Sequence, residues 1–349
     1  MVDLGHTGEQ DPTLESGGGR KRPLRGRVVL LAITAICLYF FAPSIGEVFA
    51  AWGRLGDVHT AWIVPAILCA IASYGCVWVV QAIAIGTRNW FAVITTQLAG
   101  NAFNRITPGG GATGMVMQTN MLTAAGINAP RAATALTVQS VLSTAALVAM
   151  PVFSIPFIIA GTQIPSRLLS AVWIGIPVFL VTMALGVAVF VFDAPLLWLS
   201  RVLARISPVV RRGSVPDAEF GARLLQSRDE IRDEVGPRWG IAVGASVLRW
   251  FFEYGVIIAT LYGLDVQPDP ALTLLAFVAA SVLGLLPFTP GGLGFVEAGL
   301  TATLVLAGVS AGDALVTTLV YRLLTFWLPL PIGAGAGLLF RRRYPRPKI

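Results

Sequence analysis

The feature that most constrains this chain is a succession of long apolar runs, at 28–41, 61–85, 132–159, 168–192, 241–264, 271–286 and 314–340. Several of them reach the about 20 residues that an α-helix needs to cross a hydrocarbon core. With 55% hydrophobic and only 12% charged residues, the chain has no solvated coat for a soluble domain. Secreted enzymes, nucleic-acid modules and peripheral helices are therefore excluded as descriptions of the whole. The expected fold is an all-α integral membrane protein.

The net charge of +7 is first a matter of topology. Residues 1–27 form a polar tail that closes on Arg20, Lys21, Arg22, Arg25 and Arg27, and residues 341–349 carry Arg341, Arg342, Arg343, Arg346 and Lys348. Such clusters stay cytoplasmic, so both termini are expected inside a cell membrane and the number of complete crossings is even. A cleavable signal peptide is the competing reading of the first run, but its polar leader is long and no small-residue cleavage site follows cleanly. Residues 1–19 are too polar to offset their ordering entropy and read as disordered. The polar stretch 193–238 holds eight arginines and seven acids and reads as a cytoplasmic loop. Within it Phe220, Leu224, Ile231 and Val235 recur at helical spacing, as in an amphipathic helix at the headgroup level or a solvated connector. Cys37, Cys69 and Cys76 lack the spacing of a disulfide, zinc or redox pair, and His6 and His59 lie outside the spans. No metal, no cofactor fingerprint, no catalytic nucleophile and no nucleic-acid partner is implied, so an enzyme is the least supported class. A homo-oligomer is compatible with the sequence.

Two apolar stretches are not ordinary spans. One runs through 90–105 into Thr107-Pro108-Gly109-Gly110-Gly111 and resumes over 115–125; the other runs through 271–286 into Pro287-Phe288-Thr289-Pro290-Gly291-Gly292 and resumes over 295–307. Proline removes a backbone donor and glycine loosens the helix, so each stretch is expected to be two half-helices meeting at a turn. A turn at membrane depth requires protein or water around it. Placing Thr107 on Thr289 sets an offset of 289 − 107 = 182, at which Thr119, Leu122, Ala125, Gly126, Ala129, Ala132 and Val138 meet identical residues up to Val320 without a gap. Three complete crossings, 132–159, 168–192 and 241–264, separate the two turns, and an odd number inverts the second repeat. The expected architecture is six full transmembrane helices plus two re-entrant broken-helix hairpins in inverted repeats, within a single domain over 28–340, with repeat 1 at about 61–160 and repeat 2 at about 239–340. Interrupted apolar segments at matching positions of inverted halves point to a transporter's binding site.

A half-helix that starts after a glycine turn aims unpaired backbone N–H groups and a positive dipole end at the turn, which favours an anion such as phosphate. Gly109, Gly110, Gly291 and Gly292 permit close approach of a headgroup, and the Thr107 and Thr289 hydroxyls stand beside them. Arg105, Glu297 and Arg322 are ionisable groups at membrane depth, which by default mark a pathway or a partner, and Asn101 and Asn104 add amides on the half-helix of Arg105. Each also has a plainer reading: Arg105 snorkelling to the interface, Glu297 neutralising Arg322 or Arg105, and Arg249 pairing with Glu253 four residues on. Gln118, Asn120 and Gln139 fit interhelical hydrogen-bonding.

The segment from Asn101 to Gly111, with Leu286 to Gly299 and Tyr321-Arg322, resembles the lysylphosphatidylglycerol synthase transmembrane-region family of flippase-like membrane proteins, over nearly all of 28–340. In fusion members of such a family this region is thought to move aminoacylated phospholipid between leaflets, followed by a soluble aminoacyltransferase domain. The chain ends at Ile349 without that domain, so the resemblance implies translocation or a stand-alone role and no synthase activity. The expectation is a flippase for an anionic or aminoacylated lipid headgroup, with membrane lipids as partners. Arg105 and Arg322 would bind phosphate, and Glu297 would meet an amino group or exchange a proton. Two rivals remain: an ion-coupled transporter of a soluble anion, and a non-transporting membrane scaffold that docks a partner through 193–238.

Overall fold

The computed structural model describes residues 58–107, 111–159, 236–284 and 290–345, with isolated positions at 56, 194, 226 and 229. The expected crossings at 28–41 and 168–192, the N-terminal tail and almost all of the 193–238 loop lie outside the described residues. Within them every regular element is helical: α1 (Thr60–Ile85), α2 (Trp90–Ile106), α3 (Gly111–Ala124), α4 (Ala129–Ala149), α5 (Ile155–Ile159), α6 (Trp239–Gly263), α7 (Pro270–Gly284), α8 (Phe295–Leu306), α9 (Ala311–Arg322) and α10 (Pro329–Arg343). Among the described residues, four stretches are long and apolar enough to cross a membrane: Thr60–Ile85, Ala129–Phe157, Gly236–Gly263 and Ala311–Arg343. The chain is an all-α membrane protein.

Local chemistry sets most of the ends. Asn89 accepts from the Ala92 N–H to cap α2, and Asp269 accepts from Ala271 and Leu272 to cap α7. At its other end α2 stops on Thr107, whose ψ of 128° is the extended conformation imposed on a residue before proline. Two spans are less regular than their apolar runs suggest. Proline explains both. Pro151 follows α4, and the chain tightens into a 3₁₀ turn at Met150–Ser154. Pro329 has no N–H for the Thr325 carbonyl four residues back, and the last span passes through a π turn at Leu323–Trp327, where Leu328 N–H reaches Leu323 O.

The 182-residue repeat is visible in the backbone. α1, α2, break, α3, α4 is followed by α6, α7, break, α8, α9. Gly126 and Gly308, one offset apart, both take left-handed conformations, at φ 90° and 95°. The bonds around them also match: Ile127 N–H to Leu122 O and Val309 N–H to Leu304 O are both 3.1 Å. These are the positions where only glycine enters φ > 0 without strain.

The repeats are inverted. The equivalent helices α1 and α6 form the most extensive helix pair, and they run antiparallel. His59 N–H bonds Gly263 O at one end, Cys69 packs on Gly255 in the middle, and Ser73 reaches Glu253 further on. A two-fold along the membrane normal would make equivalent helices parallel; one lying in the membrane plane makes them antiparallel. The exchange is reciprocal: α2 packs on α10 of the second half, and α7 packs on the Met150–Ser154 turn and α5 of the first. The main core joins Ile257 and Leu261 of α6, Phe277 of α7, Leu300 and Leu304 of α8, and Tyr321 of α9. Leu68 and Ile71 of α1 and Leu338 and Leu339 of α10 face outward, as lipid-facing side chains do.

Candidate functional site

The second turn positions an acid and a base together. Gly294, at φ 81°, starts α8, and its N–H donates to Glu297 Oε2 at 2.8 Å. The same carboxylate accepts from Arg322 Nε on α9, Nε to Oε1 being 2.6 Å, and the Arg322 Nη2 donates to Gly291 O at 3.3 Å. Both side chains are buried, 6% and 7% exposed. The first amide of the half-helix is therefore met by the protein's own carboxylate.

The first hairpin brings Arg105 to the same place. Its Nε donates to Asn101 Oδ1 at 3.0 Å, its Nη1 to Thr325 O, and its Nη2 to the Tyr74 hydroxyl at 3.3 Å. Tyr74 also donates to Thr325 O at 3.3 Å. That carbonyl is the one Pro329 leaves without a helical partner, so the proline on α10 prepares the seat for Arg105. Arg105 and Arg322, from opposite repeats, both lie over the Phe326 ring, at 5.0 and 4.0 Å from its centroid. Two arginines and one carboxylate leave 2 − 1 = +1 in the cluster. The hairpins themselves touch: a Cβ on Gly291 would fall 3.3 Å from Arg105 O and 2.4 Å from Phe326 Cε2.

That close approach makes Gly291 testable. Its φ is 61° and a methyl would displace the ring both arginines share, whereas Gly294, also at positive φ, has open space around it. Gly291→Ala is expected to lower stability by about 1–3 kcal/mol, from backbone strain plus overpacking, and Gly294→Ala by the strain part alone. Thermal unfolding of the two variants in detergent checks the order; equal melting temperatures would remove Phe326 displacement from the account.

Residues 27–333 match the family described as Lysylphosphatidylglycerol synthase TM region. The chain belongs to that family. A UPF0104 membrane protein of Methanothermobacter thermautotrophicus is 24% identical over 328 residues, covering 88% of this chain and 93% of the relative. A second protein of the same description and organism is 24% identical over 142 residues, 38% of this chain and 42% of its own length.

In this member of the lysylphosphatidylglycerol synthase TM-region family, the structure gathers Asn101, Arg105, Gly291, Glu297 and Arg322 into one cluster. Asn104 lies one turn along from Asn101 with its Oδ1 buried and unpartnered. Thr107 donates its hydroxyl to Phe103 O at 2.8 Å, and Gly292 is buried where a Cβ would meet Val296. Gly109, Gly110 and Thr289 lie outside the described residues. Arg249 and Glu253 pair at 3.2 Å, and Gln118 packs against Gly100 across the α2–α3 hairpin.

Tyr74, Thr325 and Phe326 were not among the residues singled out from the sequence. A signal for one of them existed: Thr325 stands four residues before Pro329. The repeat offset also pairs Ser143 with Thr325, since 325 − 143 = 182. Each of the two accepts from an arginine of the opposite half, Ser143 Oγ from Arg249 Nη1 and Thr325 O from Arg105 Nη1.

Proposed function

We propose that the protein is a lipid carrier that moves an anionic or aminoacylated phospholipid headgroup between leaflets, acting as a transporter and not as an enzyme. The observation that carries this reading is the meeting of Arg105 and Arg322 over Phe326, with net charge +1, where two interrupted hairpins touch. An excess of positive charge at membrane depth, with Arg322 buried and Arg105 half-buried, is expensive unless an anion relieves it. A lipid is favoured over a soluble anion because Phe103 and Ile106, which flank Arg105 on the same half-helix, are 40% and 49% exposed and offer a surface to acyl chains. On this reading both termini face the cytoplasm of a cell-membrane protein, and the two repeats rock about the antiparallel α1–α6 pair.

Reconstitution with a fluorescent phosphatidylglycerol, followed by dithionite quenching, tests the proposal. Arg105→Ala is expected to slow leaflet exchange by at least about tenfold, the loss of roughly 1.4 kcal/mol of headgroup binding. Arg105→Lys, which keeps charge without the planar fork, should fall between. Exchange at the wild-type rate in Arg105→Ala would reject the pocket.

A further inference from the structure

A second polar cluster crosses the interface of the repeats beside the first. Glu253 of α6 accepts from Arg249 Nη2 at 3.2 Å and from the Ser73 hydroxyl of α1 at 3.3 Å through Oε1, and from the Tyr321 hydroxyl of α9 at 3.0 Å through Oε2. Arg249 continues to Ser143 Oγ of α4 and lies over Trp250 at 4.3 Å. A narrow cleft between α1, α4 and α6 is lined by Arg249 with Cys76, Gln139, Ser143 and Ser246, with room for about one ordered water. Two buried polar atoms of that lining have no protein partner, Arg249 Nε and Gln139 Oε1. One is a donor and the other an acceptor, which is what a bridging water requires.

The two membrane carboxylates differ in what their partners can do. Glu297 receives only an arginine N–H and a backbone N–H, obligate donors that leave no acceptor for a proton on the carboxyl. Glu253 has two hydroxyl partners, and a hydroxyl donates to a carboxylate or accepts from a carboxylic acid by rotating. Glu253 is also the more open, 14% exposed against 7%, and its arginine 25% against 6%. The other titratable and charged groups around it are Tyr74 of α1, with Arg105 behind it, Tyr321 of α9, with Arg322 next along the chain, and Cys76 beside Arg249.

We propose that Glu253 is the proton-coupling carboxylate of this carrier; the inference rests on the transport reading above and on the two hydroxyl partners that can accept from a carboxylic acid. Loading moves one proton from hydronium onto a Glu253 oxygen, converting carboxylate to carboxylic acid and hydronium to water. Release returns the proton to water when the opposite face opens. Loading removes the counter-charge of Arg249, so the region around Tyr321 and Arg322 gains one positive charge as the anionic headgroup arrives. Proton and headgroup then bind cooperatively, each favouring the other by the same factor.

The test uses the full chain in vesicles with the membrane potential clamped, and reads leaflet exchange of fluorescent phosphatidylglycerol with and without a pH gradient of either polarity. Wild type is expected to exchange at least about fivefold faster under one polarity, a coupling in the usual range. In Glu253→Gln the ratio should fall to one, and Glu253→Asp should restore it. A gradient response in Glu253→Gln equal to wild type overturns the proposal. Infrared difference spectra of the purified protein between acid and neutral pH give an independent readout. A protonated-carboxyl component that wild type and Glu297→Gln share and Glu253→Gln loses supports Glu253; spectra in which Glu253→Gln loses no component relative to wild type overturn it. Absence of lipid exchange in wild type would instead sink the carrier reading, and the infrared band would still decide whether Glu253 takes a proton.

Discussion

Glu297→Ala is expected to destabilise the protein by about 3–5 kcal/mol, because it strands the Arg322 guanidinium in a buried site with no counter-charge. Arg322 is only 6% exposed on its side chain, and removal of the carboxylate also uncaps the Gly294 amide at the start of α8. Glu297→Gln is expected to fall well short of that loss, since its amide oxygen still accepts one N–H. The informative partner is the double variant Glu297→Leu with Arg322→Met, which replaces both charges with apolar groups of similar size. Such swaps are often neutral or stabilising, so the double variant should recover most of the loss, short of the about 1 kcal/mol that the missing Gly294 cap costs, and yet fail to move lipid. Thermal unfolding in detergent and exchange in vesicles separate the two. A double variant as active as wild type would show that the pair only holds the fold, and a stable Glu297→Ala would show that Arg322 finds another anion or water.

Gly333→Ala is expected to cost about 3 kcal/mol, at the upper end of overpacking, since the obstructing atom is backbone and cannot rotate away. A Cβ there would lie 2.3 Å from the Leu98 carbonyl oxygen and 2.6 Å from Ala102 Cβ, at the crossing of α2 and α10. Gly335, two residues on, has nothing within 4 Å of its Cβ position, and Gly337 has only an ordinary contact to Ala99 at 3.5 Å. Gly335→Ala should therefore be neutral or gain up to about 1 kcal/mol of helix propensity. The three variants form a series that reads the crossing directly. Because α2 carries Arg105, whose Nη1 bonds Thr325 just ahead of α10, Gly333→Ala should also slow lipid exchange. Equal melting temperatures for Gly333→Ala and Gly335→Ala would mean that the helices cross elsewhere.

Much of the scaffold was legible without coordinates, because its signals are local. A proline after Thr107 forces an extended residue, Gly126 and Gly308 end helices that lack another residue able to turn left-handed, and a 20-residue apolar run in lipid has helix as its way of satisfying its backbone. The 182-residue offset carried the repeat, and the antiparallel contact of α1 with α6 agrees with the inversion inferred from an odd number of crossings. The same reading brought Arg105, Glu297 and Arg322 together as candidates, on the ground that charge is costly at that depth.

Which charge meets which was another matter. From the sequence, Glu297 had either arginine available; the structure gives it Arg322 and sends Arg105 to Asn101, Tyr74 and the Thr325 carbonyl. Likewise Arg249 and Glu253 stood four apart as a local pair, and only packing added Ser73, Ser143 and Tyr321 from three other helices. The amino-acid order by itself determined that this chain is helical, membrane-embedded, doubled and broken at two matching places, since those follow from backbone chemistry within a few residues or from periodicity along one strand of text. The partners of these charges were decided by tertiary structure alone, because a hydrogen bond depends on ångström-scale distances between helices, and the partners lie up to 220 residues apart in the chain.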